Sequence, residues 1–298
     1  MLKQKFWLSK NFFSIFKKIM QVNSVNSYSI LYQPSFGINL NSKKLRFKED
    51  DFYVRIKGYG HHSGWAKKVR ETADNAVYFI RNELNFESLL RFITEGVRLA
   101  NQLSDDTAKQ VHTGILRSKR KYWRHGSDWK TDSLITHYDG IKSKYKTYKD
   151  KLDRTVSYPL RNPYEKFMLT RPMHSSSIGK YLNHADGRYV NRSLDMVNEI
   201  YDNLHKKYIE KEATKADLED INSQIAEIRW ILAHATPWER GSDAISNTFI
   251  RSIYKAMGIK TSPLKKGISL DLEAYCTNLK DYQTKFETYF VKKPYIVE

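Results

Sequence analysis

Arg240, Gly241 and Ser242 are the adjacent residues best suited to chemistry in this sequence. They lie within Trp-Ile-Leu-Ala-His-Ala-Thr-Pro-Trp-Glu-Arg-Gly-Ser-Asp-Ala-Ile, residues 230–245. The pattern predicts a helix ending near His234, a short loop marked by Pro237, and a second helix beginning after Gly241. The first amides of a helix have no partner within it and sit at the positive end of its dipole. Gly241 lets an anion approach the backbone, Ser242 adds a hydroxyl, and Arg240 supplies a planar fork that matches phosphate. The corner is therefore suited to a phosphate or diphosphate. The same residues also suit a structural corner in which Arg240 pairs with a carboxylate, Glu227 or Asp271. His234, alone at the helix end, reads as a structural histidine.

The elements that must position this corner are helices. Residues 66–84 carry Val69, Ala73, Ala76, Val77 and Ile80 on one stripe, and 86–103 repeat the pattern behind Asn85 as N-cap. Residues 191–209 and 214–234 follow, the latter opened by Thr214 and Asp217 at capping-box spacing. Residues 241–257 form the helix after the corner, with Gly258 as its stop. Residues 269–290 read as one last helix. Strand-like alternation is weak and short, so the expected fold is mainly α, a helical bundle with few short strands.

The chain has 298 residues, with Lys plus Arg 51 and Asp plus Glu 33, a net charge of +18. That surplus favours an acidic partner. Cys276 is the single cysteine, which excludes an internal disulfide framework and a Cys-built zinc site. No apolar run is long enough to span a membrane as a helix. Residues 1–48 contain no Asp or Glu and read as a basic leader and linker, followed by one domain over 49–298. Residues 2–20 place Phe12, Phe16 and Ile19 opposite Lys3, Lys10 and Lys17. They suit either a helix on an anionic membrane or one docked on the protein's own core. Lysines and Asn11 interrupt any h-region, so this is not a Sec signal peptide. Within a basic insertion at about 105–155, residues 117–154 interleave Lys and Arg with Tyr122, Trp123, Trp129, Tyr145 and Tyr148. Single-stranded nucleic acid would need such a surface, but so would a solvated helix face with its tyrosines packed inward. Nucleic acid is the weaker reading, since no zinc-finger spacing, RNA-recognition signature or Walker lysine accompanies it.

Several stretches together resemble the AvrB family of avirulence effectors, which plant pathogens inject into host cells. The resemblance runs through YVNRSLDMVNEIYDNLHKKY, IRWILAHATPWERGSDA, a helix ending in AMGI, and GISLDLEAY. A second patch is Tyr158-Pro159-Leu160-Arg161-Asn162-Pro163-Tyr164, and a fainter one covers 66–101. The resemblance implies a variant of the Fic/Doc (Fido) helical fold with a nucleotide-diphosphate pocket. It implies a secreted bacterial transferase that moves a deoxyhexose from a nucleotide sugar to a Thr or Ser of a host protein. The donor would be a nucleotide sugar or nucleoside diphosphate, with no metal indicated. Arg240 would hold the diphosphate with Gly241 and Ser242, and Asp271 would orient the sugar or the acceptor hydroxyl. Tyr164 would line the pocket. Tyr158 stands where the family has Thr. The family's pocket histidine corresponds here to Tyr189 or to His184. The family's myristoylation glycine is replaced by Leu2, and its second lobe is reduced to about residues 165–188, which points to a different host target.

Fic-type AMP transfer is the rival chemistry. Aligned on Pro237–Gly241, its catalytic His position is Thr236 and its phosphate-binding Arg position is Ala244. A threonine hydroxyl does not titrate usefully as a general base. A third reading is a non-catalytic module that engages a host protein, an anionic membrane or nucleic acid through its basic surface.

Overall fold

A computed structural model describes residues 40, 42–53, 63–103, 107–117, 135–137, 148, 151–152, 168–177 and 179–297. The chain divides into two units, Met1–Ile38 and Asn39–Glu298, and every described residue belongs to the second. The amphipathic stretch 2–20 and the residues Tyr145, Tyr158 and Tyr164 lie outside the described residues.

The fold is mainly helical with few short strands. Helices α1 (Ser63–Arg81) and α2 (Phe86–Asn101) pair through the stripes their periodicity predicts, with Val69, Ala73, Ile80, Leu89, Ile93 and Val97 buried. The Asn85 side chain accepts from the Ser88 amide at 2.9 Å, as its short carbonyl allows. Gly96 makes the close approach of the pair possible, because a Cβ there would lie 2.3 Å from Thr72. A short helix α3 (Thr107–His112) follows.

Helix α4 (Val190–Leu204) continues into a π-helical turn, His205–Ile209. The Thr214–Asp217 capping box forms as predicted, with Thr214 Oγ1 donating to Asp217 at 2.6 Å. It opens helix α5 (Leu218–Ala235), and helix α6 (Ser242–Ala256) follows the corner. Residues 245–256 of α6 are buried on every side. It therefore serves as the central helix, packed against α1, α2 and α5.

The expected single helix over 269–290 is instead α7 (Leu270–Cys276), α8 (Leu279–Lys285) and a 3-10 turn, Phe286–Tyr289. The break has a local cause. Thr277 is extended, and the Asn278 side chain accepts from the Asp281 amide at 2.9 Å, starting a new helix. The described strands make two small antiparallel sheets. β1 (Ile135–His137) and β2 (Arg171–Ser175) flank β3 (Gly179–Asn183), while β4 (Ile259–Lys260) pairs with β5 (Tyr295–Ile296).

Leu45, Phe47 and Phe52 are buried in the core, so the body begins ahead of Glu49. Tyr148 is also buried, and its hydroxyl donates to Glu273 at 2.6 Å and accepts from the Ser269 amide at 3.1 Å. That tyrosine fastens the basic segment to α7 and is not a stacking platform. Among the described residues no helix is long and apolar enough to cross a membrane.

Candidate functional site

The loop between α5 and α6 lies against residues 113–117. Gly114 N donates to Arg240 O at 3.2 Å, Glu239 N to Ile115 O at 2.9 Å, and Arg117 N to Pro237 O at 2.9 Å. Behind it, the buried Glu239 carboxylate meets His112 Nδ1 at 2.6 Å. This pairing holds the loop as an extended ribbon that delivers Arg240 to the surface.

Gly241 sits at φ 84°, a left-handed conformation that favours glycine. A Cβ on it would stand 2.9 Å from the Thr113 methyl. The corner thus needs glycine twice, for its backbone angle and for contact with residue 113. No hydrogen bond among the described residues takes the amides of Ser242, Asp243 or Ala244, and α6 has no side-chain cap. Arg240 is exposed and its guanidinium pairs with no carboxylate among the described residues, neither Glu227 nor Asp271. The Ser242 hydroxyl differs from expectation. It donates to Trp238 O at 3.1 Å and accepts from Trp238 N at 3.2 Å, so it braces the loop.

Asp271, near the start of α7, is held by Arg229. This arginine lies on α5 and is fully buried. Its Nη1 donates to Asp271 Oδ1 at 2.5 Å, and its Nη2 donates to Asp243 Oδ1 in the first turn of α6. Asn247 adds a contact to Asp243 at 3.2 Å. Burial opposes charge on Arg229, but Asp271 and Asp243 hold its proton more firmly than usual. Partial burial, with the charge of Asp271, pushes Asp243 up to about 6. Arg229 and Asp243 were missed in the sequence because their partners are far apart along the chain, and an Arg inside a helix resembles a solvated face.

The other side of the corner is a closed polar network. Thr236 ends α5 in the left-handed region at φ 42°, ψ 61°. Its amide donates to Leu232 O, and its hydroxyl donates to Ala233 O at 2.9 Å. Thr170 Oγ1 donates to His234 O at 2.9 Å, and Arg117 Nη1 donates to Ala235 O at 2.9 Å and Thr236 O at 3.0 Å. Because both threonine hydroxyls donate to helix carbonyls, His184 Nδ1–H is the donor toward them, at 3.0 Å to Thr170 and 3.3 Å to Thr236. The histidine that reaches this corner is therefore His184, while Tyr189 stands at the N-cap position of α4, where its backbone carbonyl accepts from the Ser193 hydroxyl at 3.1 Å.

His234 is structural, as its sequence position indicated. Nδ1 accepts from Thr170 N at 3.2 Å and Nε2–H donates to Ala274 O at 3.1 Å. Burial pushes it down to about 3, so it stays neutral. Thr236, the residue aligned with the Fic histidine, is committed to capping a helix.

Residues 170–293 match the AvrB_AvrC family model, described as "Avirulence protein". A curated relative is "Avirulence protein B" of Pseudomonas savastanoi pv. glycinea, 28% identical over 107 residues. That match covers 36% of this chain and 31% of the relative, so the chain spans less than a third of the relative's length. The chain is related to the avirulence proteins over this segment, which holds His184, the 236–243 corner, Arg229 and Asp271. Among the described residues no group of three or more His, Cys, Asp or Glu could hold a metal ion.

Proposed function

We propose that the corner is the donor site of an AvrB-type transferase. Arg240 and the amides of Gly241 to Ala244 hold the diphosphate of a nucleotide sugar. A deoxyhexose-type sugar then passes to a Thr or Ser of a host protein, with Asp271 receiving the hydroxyl proton. Tyr164, Tyr158 and Tyr189 complete the pocket in this reading, and the protein acts as an effector delivered into a host cell.

The observation that carries the reading is the open start of α6. Amides unpaired among the described residues, at a long helix's positive end, stand beside an exposed guanidinium that has no carboxylate partner among those residues. Such groups stabilise negative charge as it develops on a leaving diphosphate. Asp243, three residues beyond Arg240, links this start to Asp271 through Arg229.

Thermal melts with nucleoside diphosphates and their sugar conjugates test this. A ligand at a hundred times its Kd stabilises by about 2.7 kcal/mol. The wild type should show that shift, and Arg240→Ala should lose it while melting normally without ligand. An equal shift in Arg240→Ala would refute the site. Labelling of host proteins from ATP as AMP adducts, surviving Arg240→Ala, would instead favour adenylyl transfer.

A further inference from the structure

We propose that Arg229 is a positioning residue for transfer: it fixes the Asp271 and Asp243 carboxylates as an oriented pair, with Asp271 Oδ2 left to receive the acceptor's proton. The inference rests on the transferase reading above.

One carboxylate neutralises one guanidinium, yet Arg229 holds two, from different helices. Buried ion pairs of this kind are often no better for stability than apolar packing, and a surplus charge makes the node worse. Stability therefore does not account for the second carboxylate. The geometry points outward instead. The Arg229 side chain is 0% exposed, but those of Asp243 and Asp271 are 30% and 18% exposed. Each carboxylate gives Oδ1 to Arg229, and neither Oδ2 has a hydrogen bond among the described residues. A buried cation thus presents two carboxylate edges to solvent, one of them in the first turn of α6.

In the transfer step, the acceptor O–H bond breaks and its proton goes to Asp271 Oδ2. The acceptor oxygen bonds the anomeric carbon. The bond from that carbon to the β-phosphate oxygen breaks, and its electron pair leaves on the diphosphate held by Arg240. A neighbouring cation keeps a carboxylate ionised, whereas a neighbouring carboxylate opposes ionisation. The charged or titratable groups facing Asp271 are Arg229 from α5, Asp243 from α6, Tyr282 from α8 and Tyr275 from its own helix. Burial pushes both phenols up, so they stay neutral in the working range.

The two variants should therefore separate in the acid limb of the rate. With the full chain hydrolysing UDP- and dTDP-linked deoxyhexoses, Arg229→Gln should shift that limb of kcat upward by about one pH unit or more. Asp243→Asn should leave it nearly in place, because Asp243, pushed up to about 6, is already neutral over that limb, and KM for the donor should change little in Arg229→Gln. Equal rate loss of Arg229→Gln at every pH, with the limb fixed, would mean a merely structural role and overturn the proposal while leaving the transferase reading intact. If Arg229→Gln does not fold, Arg229→Met, of similar length and without charge, takes its place, and an unmoved limb overturns the proposal. If the wild type binds a diphosphate but turns over no donor, the transferase reading falls and this proposal with it.

Discussion

The two helix ends that meet at the 236–241 corner are built in opposite ways. At the C-terminus of α5, the carbonyls of Leu232, Ala233, His234 and Ala235 all have donors, from Thr236, Tyr275, Thr170 and Arg117. At the N-terminus of α6, the amides of Ser242, Asp243 and Ala244 have none among the described residues. Helix ends ordinarily leave such groups for side chains, water or ligands. The contrast separates a sealed structural end from an open one, and it divides the arginines likewise. Arg117 and Arg229 are buried and fastened, while Arg240 is exposed beside the open end.

The sealed end should be costly to break. Arg117→Met would leave helix-end carbonyls and Ala185 O without their donor, each buried unsatisfied group costing about 1–3 kcal/mol. A loss of several kcal/mol in denaturant unfolding is expected; a loss under 1 kcal/mol would remove the sealed-end account.

His234 tests the same end through pH. Its folded value of about 3 lies below the ordinary 6.5, so the unfolded chain takes the proton first. Its contribution is complete above pH 6.5. It falls by up to about 1.4 kcal/mol per pH unit as pH drops from there towards 3. Unfolding free energies measured from pH 7 to 4 should show this slope in the wild type, and His234→Gln should flatten it. A slope that survives the substitution would assign the acid loss to other groups.

Gly241→Ala probes the junction. Its φ of 84° and the close Thr113 methyl predict a loss of about 1–3 kcal/mol, read by chemical denaturation. Arg240→Ala should have the smallest effect on stability, within about 0.5 kcal/mol, because the side chain is exposed. A larger destabilisation would make Arg240 a structural residue after all.

Much of the helical frame was legible, because local signals and packing agreed. Asn85, the Thr214–Asp217 box and the stripes of α1 and α2 lie where the pattern places them. The break between α7 and α8 was hidden, since Tyr275, Tyr282 and Phe286 continue an apolar pattern that only the Asn278 cap interrupts. The short β2–β3 pair was equally faint. At the corner, Arg240 and Gly241 could be read because a helix start is a local event. The Arg229 node could not, since Asp243 and Asp271 become neighbours only when α5, α6 and α7 pack. His184 was one of two alternatives, and only the fold brings it to Thr236.

The central claim is that the start of α6 is an anion site. Backbone amide shifts on titrating a nucleoside diphosphate into the isotopically labelled protein test it most directly. The largest changes should fall on Gly241 to Ala244, with His234 and Thr236 nearly still, and Arg240→Ala should abolish them. Saturable shifts centred elsewhere, with Gly241 to Ala244 unmoved, would contradict the account.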